Sequence, residues 1–166
     1  MNRSIKLESP GERFTSYIRN EITGKVITLP VMPEGISESI TANYSTQDIV
    51  GASAPRILYS STSAPTISMS LRNLTEDYLA KDFSSLREYV RALQALVYPT
   101  YSGGTVSSPE VVVKLGDRAF RAVTNSVNVS WGNVVKNNEI LSCSVDLQFT
   151  RIRSEVVGAT YIEKDN

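Results

Sequence analysis

Four carboxylates lie close enough in sequence to act in pairs, Glu34 with Glu38 and Glu76 with Asp77. Two carboxylates flanking a cleft can hydrolyse a glycoside, one as acid and the other as base or nucleophile. Both pairs fall in turn-like or strand-entry sequence, where charged side chains are ordinarily solvated. Cys143 is the single cysteine and the chain has no histidine. That removes the commonest general base and metal ligand, and leaves the thiol without an activating partner. Serines are plentiful but have no triad partner or lysine-assisted motif. Gly103-Gly104 lacks the lysine and following helix of a phosphate loop, and no DxDxDG-type calcium spacing occurs. The eight tyrosines are scattered rather than interleaved with a basic stripe, as base stacking in a nucleic-acid groove would require. The expectation is a protein that is not an enzyme, with no catalytic residues, cofactor or metal.

The elements around these residues read mostly as strands. Phe14 to Arg19 and Lys25 to Leu29 make a hairpin, and Pro30 to Gly35 breaks the ladder. Ile36, Ile40, Ala42 and Tyr44 alternate on one side of the next strand. Polar sequence follows from 45 to 65, holding a short strand at Arg56 to Tyr59, and then Ile67, Met69 and Leu71 alternate. One helix stands out over 84–97, where Leu86, Tyr89, Val90, Leu93, Leu96 and Val97 form a stripe. Ser85 and Glu88 have capping-box spacing, and Pro99 closes the helix. A Ser/Gly loop over 102–108 leads to strands at Val111 to Leu115, Ala119 to Val123 and Val127 to Trp131. A polar turn over 132–138 then leads to the last strand, Glu139 to Ile152. Its row Leu141, Cys143, Val145, Leu147 and Phe149 is apolar. The opposite row, Ser142, Ser144, Asp146, Gln148 and Thr150, is polar.

The pattern is a β-rich α+β domain spanning 13–152, with an N-terminal arm (1–12), an insertion (45–65) and a C-terminal tail (153–166). With 166 residues a single core is feasible, and 17 basic residues balance 17 acidic ones. No global field therefore draws the chain to nucleic acid or an anionic membrane. No stretch approaches the length of an apolar membrane span, so no membrane insertion is expected.

Two features favour assembly. The strand faces carry Ser, Thr, Asn and Gln, with Asn128 and Ser130 continuing the polar row of the last strand; such faces suit packing or lining a channel. The polar insertion also holds Ile49, Val50, Ile57 and Leu58, more apolar content than a free loop needs. Of these, Ile49, Val50 and Ile57, with Pro55 and the flanking Tyr44 and Tyr59, are the candidate interface residues, since tyrosine offers rigid area at small entropic cost.

The order of signals resembles a known group. The run Leu29-Pro30-Val31-Met32-Pro33-Glu34-Gly35-Ile36 is followed by Asn43-Tyr44-Ser45, Gly51, Pro55 and Ile67-Ser68-Met69-Ser70-Leu71. Tyr98-Pro99, Pro109 to Val113, Leu115-Gly116, Val127 to Trp131 and Val145 to Phe149 complete it. This is similar to the N-terminal domain of contractile-injection-system tube and hub-adaptor proteins, over roughly 24–152. Members of that group often carry a LysM module after this domain; here the chain stops soon after Ile152. The resemblance implies two packed antiparallel sheets, as a barrel or sandwich, with the helix on the flank. It implies a self-assembled ring, hexameric by expectation, in a phage tail tube or at its baseplate hub. The implied partners are tail-tube, hub, spike and baseplate proteins and a tape measure, with DNA only as passing cargo. The implied location is the virion, after assembly in host cytoplasm. Asn128, Ser130, Ser142, Ser144, Asp146, Gln148 and Thr150 then face the lumen. The alternative is a monomeric β-sandwich binding carbohydrate or peptide through the insertion.

Overall fold

A computed structural model describes residues 16–30, 33–79 and 83–152. The expected arm (1–12), tail (153–166), Phe14, Val31 and Met32 lie outside them.

Strands β1 (Tyr17–Asn20) and β2 (Val26–Thr28) form the expected hairpin, with Ile18 opposite Ile27 and both buried. Its loop is held by Asn20, whose side-chain oxygen accepts the N–H groups of Ile22 and Thr23 at 2.9 and 3.0 Å. Strand β3 (Glu34–Ser39) begins within the Pro/Gly run, where Gly35 at φ +59° accompanies a register shift. Strands β4 (Ala42–Gln47) and β5 (Arg56–Thr62) pair only with each other, and β6 (Thr66–Thr75) returns to the body. The expected insertion is therefore an ordered ribbon rather than a loop around a short strand.

Helix α1 (Leu86–Gln94) continues as a 3-10 turn over Ala95–Val97. Ser85 Oγ accepts the Glu88 N–H at 3.2 Å, as capping-box spacing predicts. The reciprocal bonds run from Ser84, whose N–H and hydroxyl donate to the Glu88 carboxylate at 3.0 and 2.6 Å. Strands β7 (Thr100–Ser102) and β8 (Thr105–Ser107) replace the expected Ser/Gly loop. Gly103 and Gly104, at φ +56° and +82°, make the turn that a two-residue hairpin needs.

Strand β9 (Glu110–Leu115) precedes β10 (Arg118–Trp131), where two expected strands are one of 14 residues. A register shift between Thr124 and Ser126 keeps both halves facing the core correctly. Strands β11 (Val135–Lys136) and β12 (Glu139–Ile140) form a small hairpin, with Asn137 and Asn138 at positive φ, that joins the expected polar turn to the first two residues of the expected last strand. Strand β13 (Ser142–Arg151) starts three residues later than Glu139, so Leu141 lies outside it and is only half-buried.

The β-rich α+β arrangement with one flanking helix is the one found, antiparallel at every pairing. The main sheet has seven strands in the order β2-β1-β9-β10-β13-β6-β3. Its end strands β2 and β3 do not pair, so it does not close into a barrel. One apolar cluster joins the inward rows of this sheet to Leu86, Tyr89, Val90 and Leu93 of α1. Leu147 and Phe149 are at most 1% exposed, and burying such a side chain contributes about 1.5–3 kcal/mol relative to leaving it in water. Tyr89 stacks edge-on to Phe83 at 5.1 Å, and its hydroxyl donates to the Thr28 carbonyl at 3.3 Å. Thr124 Oγ1 is buried on the inward row with no hydrogen-bond partner among the described residues.

Candidate assembly surfaces

The carboxylate pairs are not built into a cleft as pairs. Glu34 lies 3.9 Å from Arg72 and Glu38 lies 4.0 Å from Arg151, so each faces its own arginine. Glu76 accepts weakly from the Leu86 N–H at 3.4 Å, beside the start of α1. Cys143 is buried, and that burial pushes its thiol up to about 11, away from the thiolate that nucleophilic chemistry requires.

The polar row of β13 is brought together with those of its neighbours. Asp146 sits between Asn128 on β10 and Ser70 on β6, and the Ser70 hydroxyl donates to its carboxylate at 2.5 Å. Gln148 lies between Ser126 and Ser68, Ser144 lies opposite Ser130, and Thr150 lies opposite Thr66. Ser37 and Ser39 extend the polar face onto β3. Side-chain alternation puts this surface on the side away from α1. Asn128, Ser130, Asp146 and Gln148 are exposed; Ser142, Ser144 and Thr150 are half-exposed. Asp146 is its one central charge. Other charges stand toward its margins, among them the pairs Arg72 with Glu34 and, at 3.0 Å, Arg121 with Glu110, and Lys114 over the Tyr17 ring.

The ribbon is the second surface. Its backbone continues β3 and β6: the Ser63 N–H donates to the Thr41 carbonyl at 2.8 Å, and Ala42 then pairs with Thr62. Every residue of β4 and β5 is exposed. Tyr44 faces Tyr59 across the ribbon with rings edge-on at 6.0 Å, and Thr46 faces Ile57 on the same side. Asn43, Ser45, Gln47, Arg56 and Ser61 mark the other side, joined by Leu58. Ile49, Val50 and Pro55 fall at the tip, all exposed. The structure thus gathers Tyr44, Tyr59 and Ile57 on one ribbon face and the other three candidates at its end.

A third surface is not apparent from the sequence. Trp131 lies on an inward row, opposite Cys143, yet is 42% exposed because β10 runs past the cover of α1. Beside it, two adjoining hollows of about 330 and 320 Å³ share Arg87, Trp131 and Ile140. Arg87 and Arg91, one turn apart, share a face of α1, but nothing in the local sequence joins that face to Trp131 or Ile140.

Set against protein families and curated proteins, the chain matches none. Among 19 matching chains of solved structures is one described as the tail of an empty GTA particle, computed with helical refinement in C6 symmetry. It is 15% identical, covers 87% of this chain and 96% of that chain, and gives a TM-score of 0.44.

Proposed function

We propose that the chain is a structural subunit of a phage-type tail that assembles as a ring, with the polar sheet face toward the lumen and the ribbon reaching a neighbour. The observation that carries this reading is the ribbon. A two-stranded hairpin alone in water is at best marginally stable. This one has every residue exposed and still concentrates Tyr44, Ile57 and Tyr59 on one face. A second protein surface would cover that face, and the resemblance in motif order makes the second surface another copy or a tail protein.

The polar face adds to it. Ser, Thr, Asn and Gln bind water without presenting a fixed field, so a charged cargo sliding past meets neither strong attraction nor repulsion. A contractile tail with a hub or baseplate neighbour is the finer form of the proposal, as are a hexameric ring, hub, spike and tape-measure partners, and assembly in host cytoplasm. Catalysis has no part in it.

Sedimentation and electron microscopy of the purified chain test the reading. Rings or ring stacks are expected. A strictly monomeric protein at high concentration, with no binding to tail-tube or hub proteins, would overturn it. Asp146→Leu is expected to alter passage or assembly while leaving the melting temperature of the monomer within a few degrees. A large loss of melting temperature would show that Asp146 belongs to the fold rather than to the lumen face.

A further inference from the structure

An open cleft lies beside α1. Trp131, Ile140 and Val90 give it an apolar floor, Arg87 and Arg91 line the α1 side, and two carboxylates, Glu76 and Glu139, stand at its rim. Neither arginine has an ion-pair partner among the described residues. An apolar floor beside two free guanidinium groups suits a short apolar segment that carries one acid.

The ribbon tip is such a segment. Asp48 precedes Ile49 and Val50, and the Ala52 N–H closes the turn onto the Ile49 carbonyl at 3.1 Å. Val50 is fully exposed at the apex, and Arg56 stands on the last rung of the ribbon, opposite Gln47. Tip and cleft complement each other in both charge and apolarity: Asp48 suits Arg87 and Arg91, and Arg56 suits Glu139.

They cannot meet within one subunit. The ribbon leaves the sheet at the Thr66 end of β6, whereas Glu76, on the rim of the cleft, follows the Thr75 end. Ten strand residues separate those ends, about 30 Å at strand rise, and the ribbon points away. Donor and acceptor at opposite ends of one molecule make a head-to-tail contact, which propagates rather than closing a symmetric pair.

We infer that the ribbon tip of one copy seats in the Arg87–Arg91–Trp131 cleft of the next copy, with Ile49 and Val50 on the Trp131–Ile140 floor and Asp48 between the arginines. This rests on the proposed self-assembly and names the receiving site.

Mixing full-length Val50→Cys with full-length Ile140→Cys under mild oxidation tests it. The native Cys143 stays silent because it is buried. A disulfide-linked heterodimer is expected, together with a shift of Trp131 emission to shorter wavelength on assembly; Trp131 is the sole tryptophan. The double variant Arg87→Glu/Arg91→Glu should raise the concentration needed for assembly about tenfold or more, and adding Asp48→Arg should restore it. Assembly at wild-type concentration by the double variant, with no Val50–Ile140 cross-link, overturns the inference and leaves the ring reading standing. A wild-type chain that never assembles overturns both.

Discussion

The last strand and the ribbon use the same alternation to opposite ends. In β13, residues Cys143 to Phe149 alternate between buried and exposed or half-exposed, because one side meets α1 and the other meets solvent. In β4 and β5 apolar and polar residues also separate onto two sides, Leu58 excepted, yet nothing is buried. Period-two patterning therefore states that a strand has two different faces. It does not state whether the apolar one is covered by the same molecule. Coverage depends on what the topology brings opposite, and here the helix reaches β13 but not the ribbon.

The sharpest way to break this contrast is to empty the core side of β13. Phe149→Ala should cost about 3–5 kcal/mol in chemical denaturation, since the side chain is fully buried and a cavity remains. A cost near that of a surface substitution would show that β13 is not the centre of the core.

A change of opposite sign comes next. Thr124→Val keeps the shape and removes an unpartnered buried hydroxyl, so a gain of about 1 kcal/mol is expected in the same measurement. A loss of stability would mean that the hydroxyl is satisfied in solution.

On the ribbon, Tyr59→Ala should change the stability of the monomer by no more than about 0.5 kcal/mol, as for other exposed positions. The same substitution should abolish or greatly weaken assembly, read by sedimentation. If the monomer loses several kcal/mol instead, the ribbon packs on its own body and the comparison fails.

The smallest effect concerns acid. Hydrogen bonds from the Ser84 hydroxyl and N–H hold Glu88 below the ordinary carboxylate value. A carboxylate lowered in the fold contributes stability that is complete above its unfolded value, near 4.5, and is lost as pH falls through the lowered one. Helical circular dichroism should therefore decline in acid, and Glu88→Gln should flatten that decline. An identical acid profile for both would place the acid sensitivity elsewhere.

Much of the body is legible in the sequence, because its residues answer to local rules. The α1 stripe, the Ser85 cap, the β1–β2 hairpin and the polar row of β13 all follow from spacing. The errors have two sources, a ladder set by long-range pairing and short hairpins whose strands meet only each other. Ala119 to Val123 and Val127 to Trp131 look like separate strands because the bulge at Asn125 interrupts the alternation, although β9 and β13 hold them in one ladder. The 45–65 segment looks like a loop because its strands meet only each other. Of the candidate residues, Asn128, Ser130 and the β13 row are brought onto one face, and Tyr44, Tyr59 and Ile57 onto another. The Trp131 cleft needed α1 and β12 placed in space, and no local pattern announces it.

The continuity of the ribbon with β3 and β6 has a mechanical side. A pull on the tip passes along β5 into β6, which is bonded to β13 on one flank and β3 on the other. Force applied along that strand loads its ladders in shear, so many hydrogen bonds must give at once. Peeling, which breaks them singly, would need a pull across the sheet. The appendage is thus anchored as a tie rod is anchored, and tension on it is shared by the middle of the domain.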